Sequence, residues 1–288
     1  MISEWLEGVC FVAIDTAADA LAARLADKKI NIGYNLLKGL WAGRNSKIGR
    51  KAAEESEHEI KKMLQDTDMV FITCGMGWWT GSGAAPVIAA IAKGMGILTV
   101  GIITKPFSFG WAREIMNAEE GVKKIKEVVD TLIVIPHDKI FNVIDKKTTF
   151  EQAFTMIDKI IYLDIQAISD LLIKPWNINI EFADIKVIMN NSGVGWIWIG
   201  YGTWKEKSIN ATKEAIENFG LYNDLNKAKN VIFSITGWND FTPTEITEAA
   251  SLIENIIDKD VPYMWCMVFD DNMKDEAKVT IIGTWLEK

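Results

Sequence analysis

Two α/β domains joined by a long central helix are what this sequence predicts, and three observations predict them. Short apolar runs alternate with amphipathic stretches of helical spacing along the first half. The runs at 68–74 and 97–103 are nearly unbroken, as strands buried on both faces of a parallel sheet are. Residues 148–172 form one segment with few breakers, carrying Phe150, Phe154, Ile157, Ile160, Ile161, Ile165, Ile168 and Leu171. Apolar residues on so much of its surface predict a largely buried helix.

In chain order, a strand is expected at 9–14. Ala52, Ala53, Ser56, Ile60, Met63 and Leu64 put a helix at 46–64. The strand 68–74 ends in glycines. A helix rich in Ala and Ile follows at 84–95, then a strand at 97–103, a helix at 111–128 and a strand at 131–135. Such alternation implies a Rossmann-like parallel sheet with right-handed crossovers. Lys174-Pro175 closes the central helix, because the residue before proline disfavours the helical region. Beyond it come helices at 183–190, 207–218 and 244–257, and strands at 194–199, 231–235, 262–269 and 277–282. The last two strands follow one another directly, so the second sheet should be mixed. The expected domains are residues 1–147, the central helix 148–174, and residues 175–288.

Composition narrows the function classes. The 288-residue chain has net charge −8, which argues against a nucleic-acid partner, since phosphate contacts need clustered Lys and Arg. Cys10, Cys74 and Cys266 lie far apart, show no CxxC spacing, and read as buried free thiols of a reducing compartment. No metal-ligand set is legible. His58 and His137 are isolated, and neither is assigned a role. No apolar run reaches the ~18 residues that span a membrane, and the acidic start does not resemble a signal peptide. Direct membrane insertion is not expected, and a cytoplasmic location follows by elimination.

The strongest local signal is Gly75-Met76-Gly77-Trp78-Trp79-Thr80-Gly81-Ser82-Gly83-Ala84-Ala85-Pro86, which follows a buried strand and opens a helix. Such a turn aims backbone N–H groups and a helix dipole at an anion, which suits a phosphate. A plain tight strand-to-helix connection is the other reading. It is not a Walker loop, because no Gly-Lys-Ser/Thr follows. A second constellation, Asn179-Ile180-Glu181-Phe182-Ala183-Asp184, places two acids three apart at a helix start. They either share a chemical task or cap the helix. Phe154 and Asp158 stand four apart and share one helix face. They read as an aromatic and polar pair for a ligand, or as a core ring beside a surface acid.

The glycine-rich turn and its flanks resemble the FtsZ family of tubulin-like cell-division GTPases. That family carries GGGTGTGAAP at this place and tubulins GGGTGSG, where this chain reads GWWTGSGAAP. The likeness runs from Met1 to Trp285 without a large gap. It implies a tubulin/FtsZ-like fold that binds GTP/GDP with Mg2+ and hydrolyses GTP. It assigns nucleotide contacts to Gly77, Trp78, Trp79, Thr80, Gly81, Ser82 and Gly83. Ala42, Gly43 and Arg44 belong to a loop resembling the family's GLGAGxNP loop near the terminal phosphate. Gly110 and Glu114 stand where the family carries a ribose-contacting Glu and an Arg, with Arg113 one residue away as a substitute. Phe154 and Asp158 would lie against the guanine base.

Asn179, Glu181 and Asp184 match the family's NxDFAD loop, which positions the attacking water in the next subunit's site. Glu181 replaces the usual aspartate there. Asp15-Thr16-Ala17 resembles the NTD loop with its acid moved to the first position. The resemblance further implies a head-to-tail homopolymer at the division site, with division adaptors as other partners. A non-hydrolysing polymer subunit or an inactive fragment is the alternative. A nicotinamide oxidoreductase is disfavoured, since no GxGxxG with a following acid is present.

Met1-Ile2 matches the end of the family's first helix. The first strand, the first phosphate loop and the C-terminal adaptor tail are therefore expected to be missing from the chain as written. The 12 tryptophans are the other anomaly. All but Trp196 fall at family glycines: Trp5, Trp41, Trp78, Trp79, Trp111, Trp176, Trp198, Trp204, Trp238, Trp265 and Trp285. Glycine supplies positive φ and close approach, and indole supplies the opposite. Trp78 and Trp79 are therefore expected to fill the phosphate space and weaken GTP binding. Some bacterial lineages read UGA as glycine, so a glycine codon translated as tryptophan would produce this pattern.

Overall fold

The computed structural model describes residues 6, 8–43, 45–145, 147–173, 176–178 (backbone only), 180–217 and 227–285. It forms two compact units, Met1–Ile165 and Gln166–Lys288.

The first unit runs β1 (Val12–Asp15), α1 (Ala18–Ala22), β2 (Lys28–Asn31), α2 (Tyr34–Leu37), α3 (Ser46–Glu55), α4 (Glu57–Met63), β3 (Met69–Gly75), α5 (Trp79–Gly94), β4 (Leu98–Lys105), α6 (Ala112–Lys126) and β5 (Thr131–Pro136), then a 3-10 turn at His137–Asn142. Strands β3, β4 and β5 pair in that order, all parallel, with Met69 opposite Leu98 and Val100 opposite Thr131. The small pair β1–β2 is also parallel. Helices α3–α6 bury Ala52, Ile60, Ile88 and Ile125 against Met76, Ile103 and Leu132.

Three local expectations change here. The helix over 46–64 is two helices, broken at Ser56 (φ −96, ψ 18). The Ser56 hydroxyl accepts the Gly33 N–H at 3.0 Å, so the break joins α3 to the turn before α2. The strand at 9–14 starts only at Val12, because the Phe11 N–H is held by the Asp27 carboxylate at 2.7 Å. Cys10 precedes it and is exposed, while Cys266 is buried and its thiol is pushed up to about 12 by that burial. The helix expected at 84–95 begins at Trp79, inside the glycine run. A Cβ on Gly49 would stand 2.6 Å from the Trp79 carbonyl oxygen, and one on Gly83 would strike the Ser46 carbonyl. The backbones of α3 and α5 meet there, and that contact makes glycine compatible with a helix that propensity disfavours.

Helix α7 (Phe150–Ile173) is capped by Thr149 and Gln152. Each side chain bonds the other's N–H, at 3.2 and 2.8 Å. Ala153, Ile157, Ile161, Ile165, Ile168 and Leu171 are buried, but Phe150 and Phe154 are not. The first turns of the helix are thus less buried than the apolar content implies.

The second unit holds β6 (Trp176–Ile178), α8 (Phe182–Met189), β7 (Gly193–Thr203), α9 (Lys207–Glu217), β8 (Asn230–Gly237), α10 (Pro243–Glu254), β9 (Tyr263–Phe269) and β10 (Glu276–Trp285). Its strand order is β7-β10-β8-β9-β6. β10 is antiparallel to β7 and β8, and β8 is parallel to β9, so the sheet is mixed. The two final strands are not neighbours, since β8 lies between them. β7 continues past residue 199 because Gly200 and Gly202 let α9 lie directly on it. Trp198, Phe233, Ile235 and Ile281 centre the core. Among the described residues, no helix is long and apolar enough to cross a membrane.

Candidate functional site

The carboxyl ends of β3, β4 and β5 deliver three loops to one edge of the first unit, the edge where open α/β sheets place ligands. After β3, the Met76 N–H still bonds the Thr104 carbonyl at 2.9 Å. Gly77 then turns with φ +101, and a Cβ there would stand 2.7 Å from the Glu114 Cγ. Only glycine meets both demands. The Gly77 N–H donates to the buried Ser82 hydroxyl at 2.8 Å, which locks the turn onto the first helical residues of α5.

Trp78 occupies the N-cap of α5, and its indole provides no acceptor for the first-turn amides. An anion held by backbone N–H groups and the helix dipole suits that arrangement. Trp78 is 65% exposed, and its Cδ1 lies 3.4 Å from where a Cβ on Gly75 would stand, so the indole lies against the loop. Trp79 is half-buried beneath the Arg113 guanidinium, 5.9 Å from the ring centre. Thr80 donates to the Asp15 carboxylate at 3.4 Å, and the same oxygen accepts the Thr16 and Ala17 N–H groups. The acid at the first position of Asp15-Thr16-Ala17 therefore faces the glycine turn.

Gly81 and Gly83 are helical and serve packing as much as any ligand. A Cβ on Gly81 would stand 2.7 Å from the Gly75 carbonyl. Gly110 closes a turn onto the Phe107 carbonyl at 2.9 Å, and Glu114 begins α6 against Gly77. Ala42 is buried and Gly43 exposed on the loop that enters α3. Arg44 and Asn179 lie outside the described residues.

Phe154 forms a wall with rings from two other segments. Phe107 is 5.9 Å away and His137 5.6 Å away, both edge-on. Phe107 also stacks on Phe109 and meets Phe141 and Phe150. Next to this wall a cavity of about 320 Å³ opens between Phe107, Phe141, Ile144, Thr149 and Phe150. Asp158 is exposed one helical turn beyond Phe154. Burial holds the His137 imidazole below the usual histidine range, against the pull of the Asp138 and Asp158 carboxylates. Sequence reasoning left His137 and Phe107 without a role. The legible signal was His137's place directly after a sheet strand at the ligand edge.

In the second unit, Asp184 accepts the Glu181 N–H at 2.9 Å, and the two residues form a capping box at the start of α8. Both acids therefore serve the helix terminus.

Two family descriptions match this chain. Residues 6–145 match the Tubulin/FtsZ family GTPase domain, and residues 193–287 match the FtsZ family C-terminal domain. Among solved structures, an empty FtsZ dimer from M. jannaschii is 37% identical with TM-score 0.90, over 99% of this chain and 83% of that one. A CetZ2 protofilament with GTPγS from Haloferax volcanii is 15% identical with TM-score 0.80, over 96% of this chain and 84% of that one. A GDP-bound CetZ1 monomer from the same organism is 17% identical with TM-score 0.78, over 96% and 85%. At these identities the two CetZ structures speak to the fold alone.

Proposed function

Since the chain belongs to the FtsZ family, a GTP-binding and polymerising family with a GTPase domain, we propose that it is a division-ring subunit. In this reading GTP is hydrolysed at the joint between successive copies. The observation that carries the reading is the turn from Gly77 into α5, with its unscreened first-turn amides and Glu114 packed beneath it. The triphosphate would lie on these amides, and the base on Phe154 with Asp158 reading its polar edge. Gly110, Arg113 and Glu114 flank the sugar side. Ala42 and Gly43 would approach the terminal phosphate, the place the family resemblance also assigns to Arg44. Phosphoryl transfer needs mainly positioning and charge compensation.

Mg2+ usually binds through substrate phosphates, water and one or two carboxylates. Asp15, bonded to Thr80, is the carboxylate suited to that task. The bound ion would supply charge neutralisation on the phosphates. Asn179, Glu181 and Asp184 would order the attacking water in the neighbouring copy's site.

The capping box favours a second reading, a subunit that polymerises without hydrolysis, because it already engages both acids. Sedimentation and phosphate release, measured together with GTP, separate the two. The first reading expects GTP-dependent pelleting with phosphate release, and expects Asp184→Ala to pellet while releasing at least ~10-fold less phosphate, as loss of a positioning group does. Pelleting without phosphate release from the unaltered chain supports the second. Pelleting that ignores nucleotide defeats the first, and a chain that never pellets defeats both.

A further inference from the structure

His137 sits where three separate segments converge. Its ring lies 5.1 Å from Phe107, beyond β4, and 5.6 Å from Phe154 on α7, with both contacts edge-on. It is half-buried, and two carboxylates face it: Asp138 on its own 3-10 turn and Asp158 on α7. The two acids are not equivalent. Asp138 already accepts the Ser108 N–H at 3.0 and 3.1 Å and the Ser108 hydroxyl at 3.2 Å, which pins the loop beyond β4. Asp158 is exposed on the same helix as Phe154. Asp138 pulls harder on the ring, but Ser108 already engages it, so Asp158 is the carboxylate left to turn toward an imidazolium.

We propose that His137 is a proton-sensitive member of the base-reading wall, and that its protonation weakens guanine-nucleotide binding by drawing the Asp158 carboxylate off the base edge. The inference rests on the nucleotide reading of this site. Among rings and beside an apolar hollow, the neutral imidazole packs as a third wall element and leaves Asp158 to accept the donors of a guanine edge. Once protonated, the imidazole loses its acceptor and becomes a charged partner for Asp158. The site then loses a hydrogen-bond acceptor and gains a positive charge beside the base. Desolvation keeps the ring neutral near pH 7, so the change sets in as the pH falls below the ordinary histidine range. Linkage requires the reverse effect as well. A bound guanine must lower the His137 pKa further.

The test uses guanosine and GDP, so that a weak phosphate subsite does not hide a base effect. The chain has 2 histidines, so imidazole NMR resolves His137 with exposed His58 as internal reference. Affinity is measured from pH 7.5 to pH 5.5 while circular dichroism follows the fold. The expected result is roughly a two- to fivefold loss of GDP affinity at the acid end, the part of a shift of about one pKa unit that is expressed by pH 5.5. Guanosine should lower the His137 pKa and leave His58 unmoved. His137→Asn and Asp158→Asn should each flatten the pH profile. A flat profile in the unaltered chain, or an undiminished slope in His137→Asn, overturns the proposal while nucleotide binding stands. A chain that binds neither guanosine nor GDP at any pH overturns the nucleotide reading and this inference with it.

Discussion

The loop tryptophans of the first unit and the strand tryptophans in the core of the second differ in kind. In the first unit, Trp41, Trp78 and Trp111 lie on loops and are 64, 65 and 70% exposed. In the second, Trp198 and Trp285 are 2 and 9% exposed and meet edge-on at 5.9 Å inside the core. The same residue type is surplus surface in one place and core volume in the other. An indole on a loop edge finds no partner surface to cover it. One on an inward strand position joins whatever cluster faces it, and here Phe233, Val279 and Ile281 accept it. A shared residue type therefore does not give them a shared energetic role.

The comparison breaks most directly at Trp198. Trp198→Ala should cost about 3–5 kcal/mol through lost transfer energy and a cavity, read by chemical denaturation of the full chain. A cost below about 1 kcal/mol would mean that the core does not depend on the indole, and the contrast between the units would collapse.

Next in size is the glycine turn. Trp78→Gly with Trp79→Gly should raise GDP affinity roughly tenfold, about 1.4 kcal/mol. Exposed Trp78 should contribute only a few tenths of a kcal/mol to stability, while Trp79 gives up its contact with Arg113. Unchanged affinity would show that the indoles stand clear of the phosphates. The codons supply an independent arbiter. UGA at Trp41, Trp78, Trp79 and Trp238 would mark them as glycine in a lineage that reads UGA so, and UGG would make the indoles genuine.

The smallest effect sharpens the contrast within the second unit. Trp204 is 76% exposed and holds φ +65, in the left-handed region that costs an ordinary residue about 1 kcal/mol. Trp204→Gly should remove that strain and raise Tm by roughly 2–4 °C, measured by calorimetry. A fall in Tm would show that the ring contributes more than its backbone costs.

What the sequence determined by itself was local or periodic. Runs buried on both faces, such as Leu98–Lys105 and Thr131–Pro136, read as strands because β-sheet burial leaves few polar positions. The central helix was legible because its apolar spacing is dense, and only the structure moved its start from 148 to Phe150, behind the Thr149–Gln152 cap. Motif resemblance supplied the family. Tertiary structure alone decided the rest. Helix α5 starts at Trp79 because α3 crosses its glycines, a contact between segments some thirty residues apart that no local propensity encodes. The order β7-β10-β8-β9 depends on pairings across the whole second unit. His137 became a site residue only because Phe107 and Phe154 arrive from distant segments to enclose it. Periodicity reports which face of an element is buried, and it carries no information about which element covers that face.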